Sequence, residues 1–220
     1  MKSTKRLLMC GAIAGPIYIA IGLAQIVTRE GFDMTRHPLS LMSTGDLGWI
    51  QITNFIVTGI LVGLGAIGLR RATNGDKRWK RGALFIGLYG VGVIGGGLFV
   101  PDPALGFPPG TPNVYPETIS WHGLLHFIFG QLGFLALIIA NFIFARHFAA
   151  AKLHGWAAYS AFTGSFFLAT IFAAIAVMGA PWTMIALYVA VVLGWAWLTA
   201  LAVRSIRLLN DGGEALATSP

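Results

Sequence analysis

His122 and His126 stand four residues apart in the run Trp121-His-Gly-Leu-Leu-His126. On a helix they share one face, about 6 Å apart along the axis. Two imidazoles so placed can chelate one ion, and Asp102 or Asp46 would add a carboxylate. An open fourth position would then bind water and lower its pKa for hydrolysis. The donor set suits zinc, with His122, His126 and Asp102 as metal ligands and Asp102 and His126 as the catalytic pair. With substrate drawn from the outer leaflet, that chemistry is a metal-dependent membrane lipid hydrolase. The same residues also have structural readings. Asp46 can cap a helix whose N-terminal dipole favours an acid, and Asp102 between Pro101 and Pro103 can set a turn. Ser120 can serve as an N-cap. His126 can donate one hydrogen bond to Asp102 or to a backbone carbonyl and so tie two helices together.

Other chemistries have less to stand on. A bis-histidine haem needs axial ligands facing each other at one depth. His147 and His154 fall at the opposite membrane face from His126, and His37 lies in a loop. No Gly-rich phosphate loop, His-Glu-x-x-His or Gly-x-Ser-x-Gly occurs. Ser40 and Ser43 lie near His37 in sequence, which alone does not make a nucleophile. Polar groups inside the apolar runs are few, chiefly Gln25, Gln51, Asn54, Gln131 and Asn141. They are thin for a proton relay but compatible with a lipid or small-molecule transporter.

The elements that position these residues follow from composition. Only 10% of the residues are charged, against about 25% in a soluble domain, so a water-facing surface cannot be covered. The apolar residues fall into runs 7–27, 48–69, 82–100, 121–145, 155–178 and 182–203. Each can cross a hydrocarbon core about 30 Å thick, and lipid requires such spans to be helical. The expected fold is all-α, a six-helix transmembrane bundle forming one domain over 1–209, with a flexible tail at 210–220. Only Leu7, Leu8 and Met9 precede the single cysteine, Cys10, as an apolar stretch. That is too short for a signal peptide, so the first run reads as a retained helix.

Basic residues orient the bundle. All 15 Lys and Arg except Arg29 and Arg36 fall on one side, which places both termini in the cytoplasm. The same distribution accounts for the net charge of +7 without nucleic acid as a partner. His122, His126, Asp102 and Asp46 then sit at the outer ends of their helices. Two outer segments connect these ends. Thr28–Leu47 is one; Pro101–Ser120 is the other, and it contains Pro101, Pro103, Pro108, Pro109, Pro112 and Pro116. Proline lacks a donor N–H, so the second segment cannot be helical throughout; it is either a lid or a stiff connector. Gly11/Gly15, Gly59/Gly63 and Gly92/Gly96 are spaced for close helix–helix approach.

Several stretches form a recognisable set: Arg29-Glu-Gly-Phe-Asp33, Arg36-His37-Pro-Leu-Ser40, Ser43-Thr-Gly-Asp46-Leu-Gly48, Phe99-Val-Pro-Asp102-Pro103 and His122-Gly-Leu-Leu-His126. Together they resemble the bacterial and archaeal membrane family called domain of unknown function 998, over about residues 5–205. The resemblance implies a multi-pass membrane fold and no particular activity. Its outer-side anchors make Arg36, His37, Ser40 and Asp46 the candidate binding residues. The scatter of Ser, Asp and His-x-x-x-His is also weakly similar to the alkaline ceramidase and adiponectin-receptor superfamily. This chain departs from that pattern: it has six helices, its paired histidines are mid-chain, and no third helical histidine lies at their depth.

The sequence therefore predicts a multi-pass protein of a prokaryotic plasma membrane, with a polar Asp/His site at its outer face and membrane lipids as partners. Lipid binding or modification is the leading reading. The alternatives are the zinc-dependent hydrolase, a transporter, and an assembly subunit without catalysis.

Overall fold

The computed structural model of the chain describes residues 2–73, 75–177 and 180–211. Among these residues there are six long helices: α1 Lys2–Thr28, α2 Gly48–Arg71, α3 Lys77–Leu98, α4 Trp121–Ala150, α5 His154–Ala176 and α6 Pro181–Asn210. All six are long and apolar enough to cross a membrane. The described residues include no strand, only an isolated bridge between Ala104 and Phe107. Several helices run past their apolar stretches. α1 begins at Lys2, α4 continues to Ala150 and α6 to Asn210, because charged residues extend a helix once it leaves the apolar region. Met178, expected to end the fifth span, and residues 212–220 of the expected tail lie outside the described residues.

Each helix packs on its neighbours in the chain, and α6 closes the ring against α1. The chain runs up and down, so one end of the bundle carries both termini and short connections, and the other carries the two long loops. Asp76 starts α3, its Oδ1 accepting from the amides of Arg78 (2.7 Å) and Trp79 (3.1 Å). Ser120 starts α4, as its sequence position suggests, with Oγ accepting from the Gly123 amide at 3.0 Å. Pro16 lies inside α1. A proline there cannot bond the carbonyl four residues back. That carbonyl belongs to Ala12, and it accepts from the Thr199 hydroxyl of α6 at 3.2 Å. The missing backbone bond is thus replaced by one that joins α1 to α6.

Glycines set the closest approaches, but not in all the pairs expected. A Cβ on Gly65 of α2 would lie 2.6 Å from the Cα of Gly11 in α1. One on Gly92 of α3 would lie 2.5 Å from the Cα of Gly133 in α4, and one on Gly59 would lie 2.8 Å from the Gly90 carbonyl oxygen. Gly63 and Gly96 depart from the expectation. A Cβ on Gly63 would meet nothing within 4 Å, and one on Gly96 would meet only His126, at 3.8 Å. Both still stand at helix contacts through their backbones: a Cβ on Gly90 would come 3.2 Å from the Gly63 nitrogen, and the Gly96 carbonyl accepts from His126 of α4 at 3.0 Å.

The end that carries the termini is solidly filled. The Trp79 ring meets Phe144 edge-on at 5.1 Å, and Phe144 meets Trp197 at 5.6 Å. Two of the three buried indoles are satisfied: Trp79 Nε1 donates to the Leu69 carbonyl (2.9 Å) and Trp197 Nε1 to Ser160 Oγ (3.0 Å), while Trp195 Nε1 has no partner among the described residues. At the rim, His147 Nδ1 lies 2.9 Å from Asp76 Oδ2, and the Arg204 guanidinium covers the Trp156 ring at 5.2 Å.

Candidate functional site

At the other end the two long loops fold onto each other. Leu41, Ala104 and Phe107 form a small core of their own, with Phe32 and Leu105 against it. Arg29 organises the first loop by donating from Nη1 to the Met42 carbonyl (2.9 Å) and from Nη2 to the Thr44 carbonyl (2.7 Å). Its guanidinium also lies 5.1 Å from the centre of the Phe107 ring. Burial pushes the Arg29 pKa down from its ordinary value. Gly45 has φ +72, and a Cβ there would come 3.1 Å from Pro108, so the contact between loops favours glycine at this point. The prolines of the second loop therefore build a folded cap across the bundle's end.

His37 is the pin of this cap. The Asp33 amide donates to its Nδ1 at 2.9 Å. Nδ1 must then carry a lone pair, so Nε2 carries the proton and donates to the Leu105 carbonyl at 3.0 Å. With only 2% of its surface exposed and both nitrogens engaged, His37 joins the two loops and has no nitrogen left for a ligand. Its own carbonyl accepts from the Tyr188 hydroxyl of α6 at 2.7 Å. Arg36 donates to Asn113 Oδ1 across the loops. Asp33 is held below the usual carboxylate range, chiefly by the Thr35 hydroxyl and then by the Thr35 amide.

The histidine pair does something the spacing alone did not single out. α3 ends at Leu98, and Pro101 and Pro103 just beyond it have no N–H to offer the free carbonyls. His126 Nδ1 donates instead to the carbonyls of Phe99 (2.7 Å) and Gly96 (3.0 Å), and His122 Nδ1 to that of Val100 (2.7 Å). Asp102 Oδ2 accepts from the Ser120 amide at 2.9 Å, beside the N-terminus of α4, where the helix dipole favours a carboxylate. Asp46 is exposed, and α2 begins after Leu47 with no side-chain cap, so the expected capping by Asp46 is not seen. Asp102, His122 and His126, expected around an ion, each bond the backbone here. Among the described residues no three His, Cys, Asp or Glu side chains are grouped to hold a metal. The cause is local: each of the three is turned toward the backbone at the α3–α4 corner.

Beneath the cap lies a cavity of about 280 Å³. Its walls come from α1 (Tyr18), α2 (Phe55), α3 (Tyr89, Gly96), α4 (His126 to Phe134) and α6 (Met184 to Val191), with Pro38, Leu39 and Ser40 above. Of the candidate site residues, His126 and Ser40 reach it; Asp102, His122, Arg36, His37 and Asp46 do not. Sequence reading missed Tyr188, which lines the cavity and also holds the cap. A tyrosine in a span near the bundle's loop end was a usable signal, since its hydroxyl needs a partner there.

The cavity is open on one side. No residue of α5 lines it, and Thr170 is the last buried residue of that helix. Beyond it Phe172 and Ile175 are mostly exposed. Phe127, which lines the cavity, is itself 61% exposed. The gap between α4 and α6 thus faces sideways, toward the region lipid chains would occupy.

The family described as Protein of unknown function (DUF998) matches residues 12–204 of the chain. No curated relative and no solved structure matches it.

Proposed function

Because the chain belongs to the DUF998 family, whose description assigns no activity, we propose a function from the cavity itself: the protein takes up a membrane amphiphile through the gap between α4 and α6. The observation that carries this reading is an apolar cavity that opens sideways from a multi-pass membrane bundle and has a few polar groups in its wall. Ligand pockets have this character, and typical volumes are about 300–1,000 Å³. At about 280 Å³ the cavity suits one chain with a small headgroup and not a two-chain phospholipid.

The distribution of Lys and Arg supports both termini in the cytoplasm and the cap outside a plasma membrane, and the closed ring of helix contacts supports a single domain. The ligand would then come from the outer leaflet. The cavity ends against Tyr18, Tyr89 and Phe134, and the terminus end is filled by aromatic rings. That packing favours binding over conduction. Gln25, Gln51 and Asn54 form a buried amide cluster between α1 and α2, linked by Gln25 Nε2 to Gln51 Oε1 at 2.7 Å. The apolar residues Val62, Ala66 and Leu69 follow it toward the terminus end, so it does not continue as a polar path.

Native mass spectrometry of protein extracted in mild detergent tests the reading. The parent protein should retain an amphiphile. A Gly130→Leu variant should lose it while keeping its fold, because Gly130 lines the cavity and a Cβ there meets nothing within 4 Å. Equal retention by the two proteins would overturn the proposal.

A further inference from the structure

Resting on that reading, we infer that the cavity selects an uncharged amphiphile whose headgroup donates a hydrogen bond, such as a long-chain alcohol, with His126 Nε2 as the acceptor. The cavity wall contains no Lys, Arg, Asp or Glu. A phosphate, carboxylate or ammonium headgroup would enter without a counter-charge, at a large desolvation cost. The cap's arginines are committed elsewhere, Arg29 to the Met42 and Thr44 carbonyls and Arg36 to Asn113. Charge is therefore selected against.

The requirement for a donor comes from the histidine's tautomer. Carbonyl oxygens only accept, so the Phe99 and Gly96 carbonyls fix the proton of His126 on Nδ1. Nε2 is left with a lone pair and no hydrogen bond to the described residues, on a ring that forms part of the cavity wall. A ligand acceptor placed against that lone pair gains nothing and leaves both groups unsatisfied. A hydroxyl settles it. Ser40 and Gln131, also in the wall, can complete the hydroxyl's bonding from its oxygen side. Tyr188 is less suited to donate, since its proton is given to the His37 carbonyl.

The α3–α4 corner thus does two things with one imidazole. One nitrogen closes the end of α3; the other presents an acceptor to the cavity. His126→Asn separates the two, because an asparagine amide can still donate from roughly the Nδ1 position but has nothing in place of Nε2.

The test is displacement of a diazirine-bearing dodecanol from the parent protein in nanodiscs by 1-dodecanol, dodecyl methyl ether or dodecyl phosphate. The alcohol should compete about tenfold better than the ether, which lacks only the donor, and better still than the phosphate. In His126→Asn the alcohol's advantage over the ether should disappear. Equal competition by alcohol and ether in the parent would overturn this inference and leave amphiphile binding standing, and an advantage that persists in His126→Asn would do the same. This comparison in the parent decides the matter even where the variant folds poorly. If no photoprobe is captured and none of the three competes, the amphiphile reading falls, and the selectivity falls with it.

Discussion

At the terminus end, Trp79, Phe144, Phe148 and Trp197 fill the space between helices with rings in edge contact. At the loop end, Tyr18, Phe55, Tyr89 and Tyr188 surround a space and leave it open. The two ends draw on the same kinds of side chain, yet one packs solid and the other encloses a cavity. Helix spacing makes the difference. α5 stays buried against its neighbours only as far as Thr170, and beyond that point it does not close the gap between α4 and α6. Binding sites cost stability, because atoms facing a void lose their dispersion partners. A rigid half that supports an open half is a physical arrangement that can meet this cost.

The sharpest way to break the comparison is to place the same substitution in both halves. Gly65→Leu would drive a side chain into the backbone of Gly11, 2.6 Å from where its Cβ would sit. It should cost about 3 kcal/mol or more and abolish folded yield in fluorescence-detected size exclusion. Gly130→Leu, into open space at the cavity, should leave the elution profile unchanged. Similar damage from both would mean the loop half is as tightly packed as the terminus half.

A smaller effect is expected from Ser160→Ala. It would strand the buried Trp197 indole N–H, which now donates to Ser160 Oγ at 3.0 Å. A loss of about 1–3 kcal/mol should lower the thermal midpoint in detergent. No change would show that the indole finds another partner and that the terminus half is less fixed than described.

Tyr188→Phe removes one hydrogen bond between α6 and the cap, worth about 1 kcal/mol. The thermal midpoint should hardly move, but trypsin should cut faster after Arg36. Unchanged cleavage would mean the cap is held by its own core alone.

The smallest effect is one of pH. The Asp33 carboxylate is held below its ordinary pKa by Thr35, so its contribution is present above the unfolded value of about 4. It is lost as pH falls through the lower folded value. Asp33→Asn should therefore be slightly less stable than the parent at pH 6, and the difference should shrink as the pH falls below about 4. A difference that persists in acid would assign the effect to something other than ionisation.

Much of this architecture is legible in the sequence because the bilayer imposes simple rules. Twenty-residue apolar runs gave six spans, and the start of α4 followed from Ser120, whereas the start of α3 at Asp76 lies upstream of its apolar run and was not foreseen. The site was harder to read. His122 and His126 have the spacing of a metal pair, but Pro101 and Pro103 leave carbonyls that need donors, and the histidines answer that need. Sequence spacing records which residues share a face, not which competing partner lies nearest. The cavity has no motif at all. It arises where α5 stops packing, a tertiary fact spread over five helices and a loop. Gly63 shows the same limit, since its repeat position matches Gly59, yet a Cβ on Gly63 would meet nothing within 4 Å.

Photolabelling with a diazirine-bearing single-chain lipid, followed by peptide mapping, tests the central claim most directly. The account predicts saturable labelling concentrated on residues 127–134 of α4 and 184–191 of α6, and loss of that labelling in Gly130→Leu. Labelling spread evenly over the lipid-facing surfaces of all six helices, and unchanged in the variant, would contradict it.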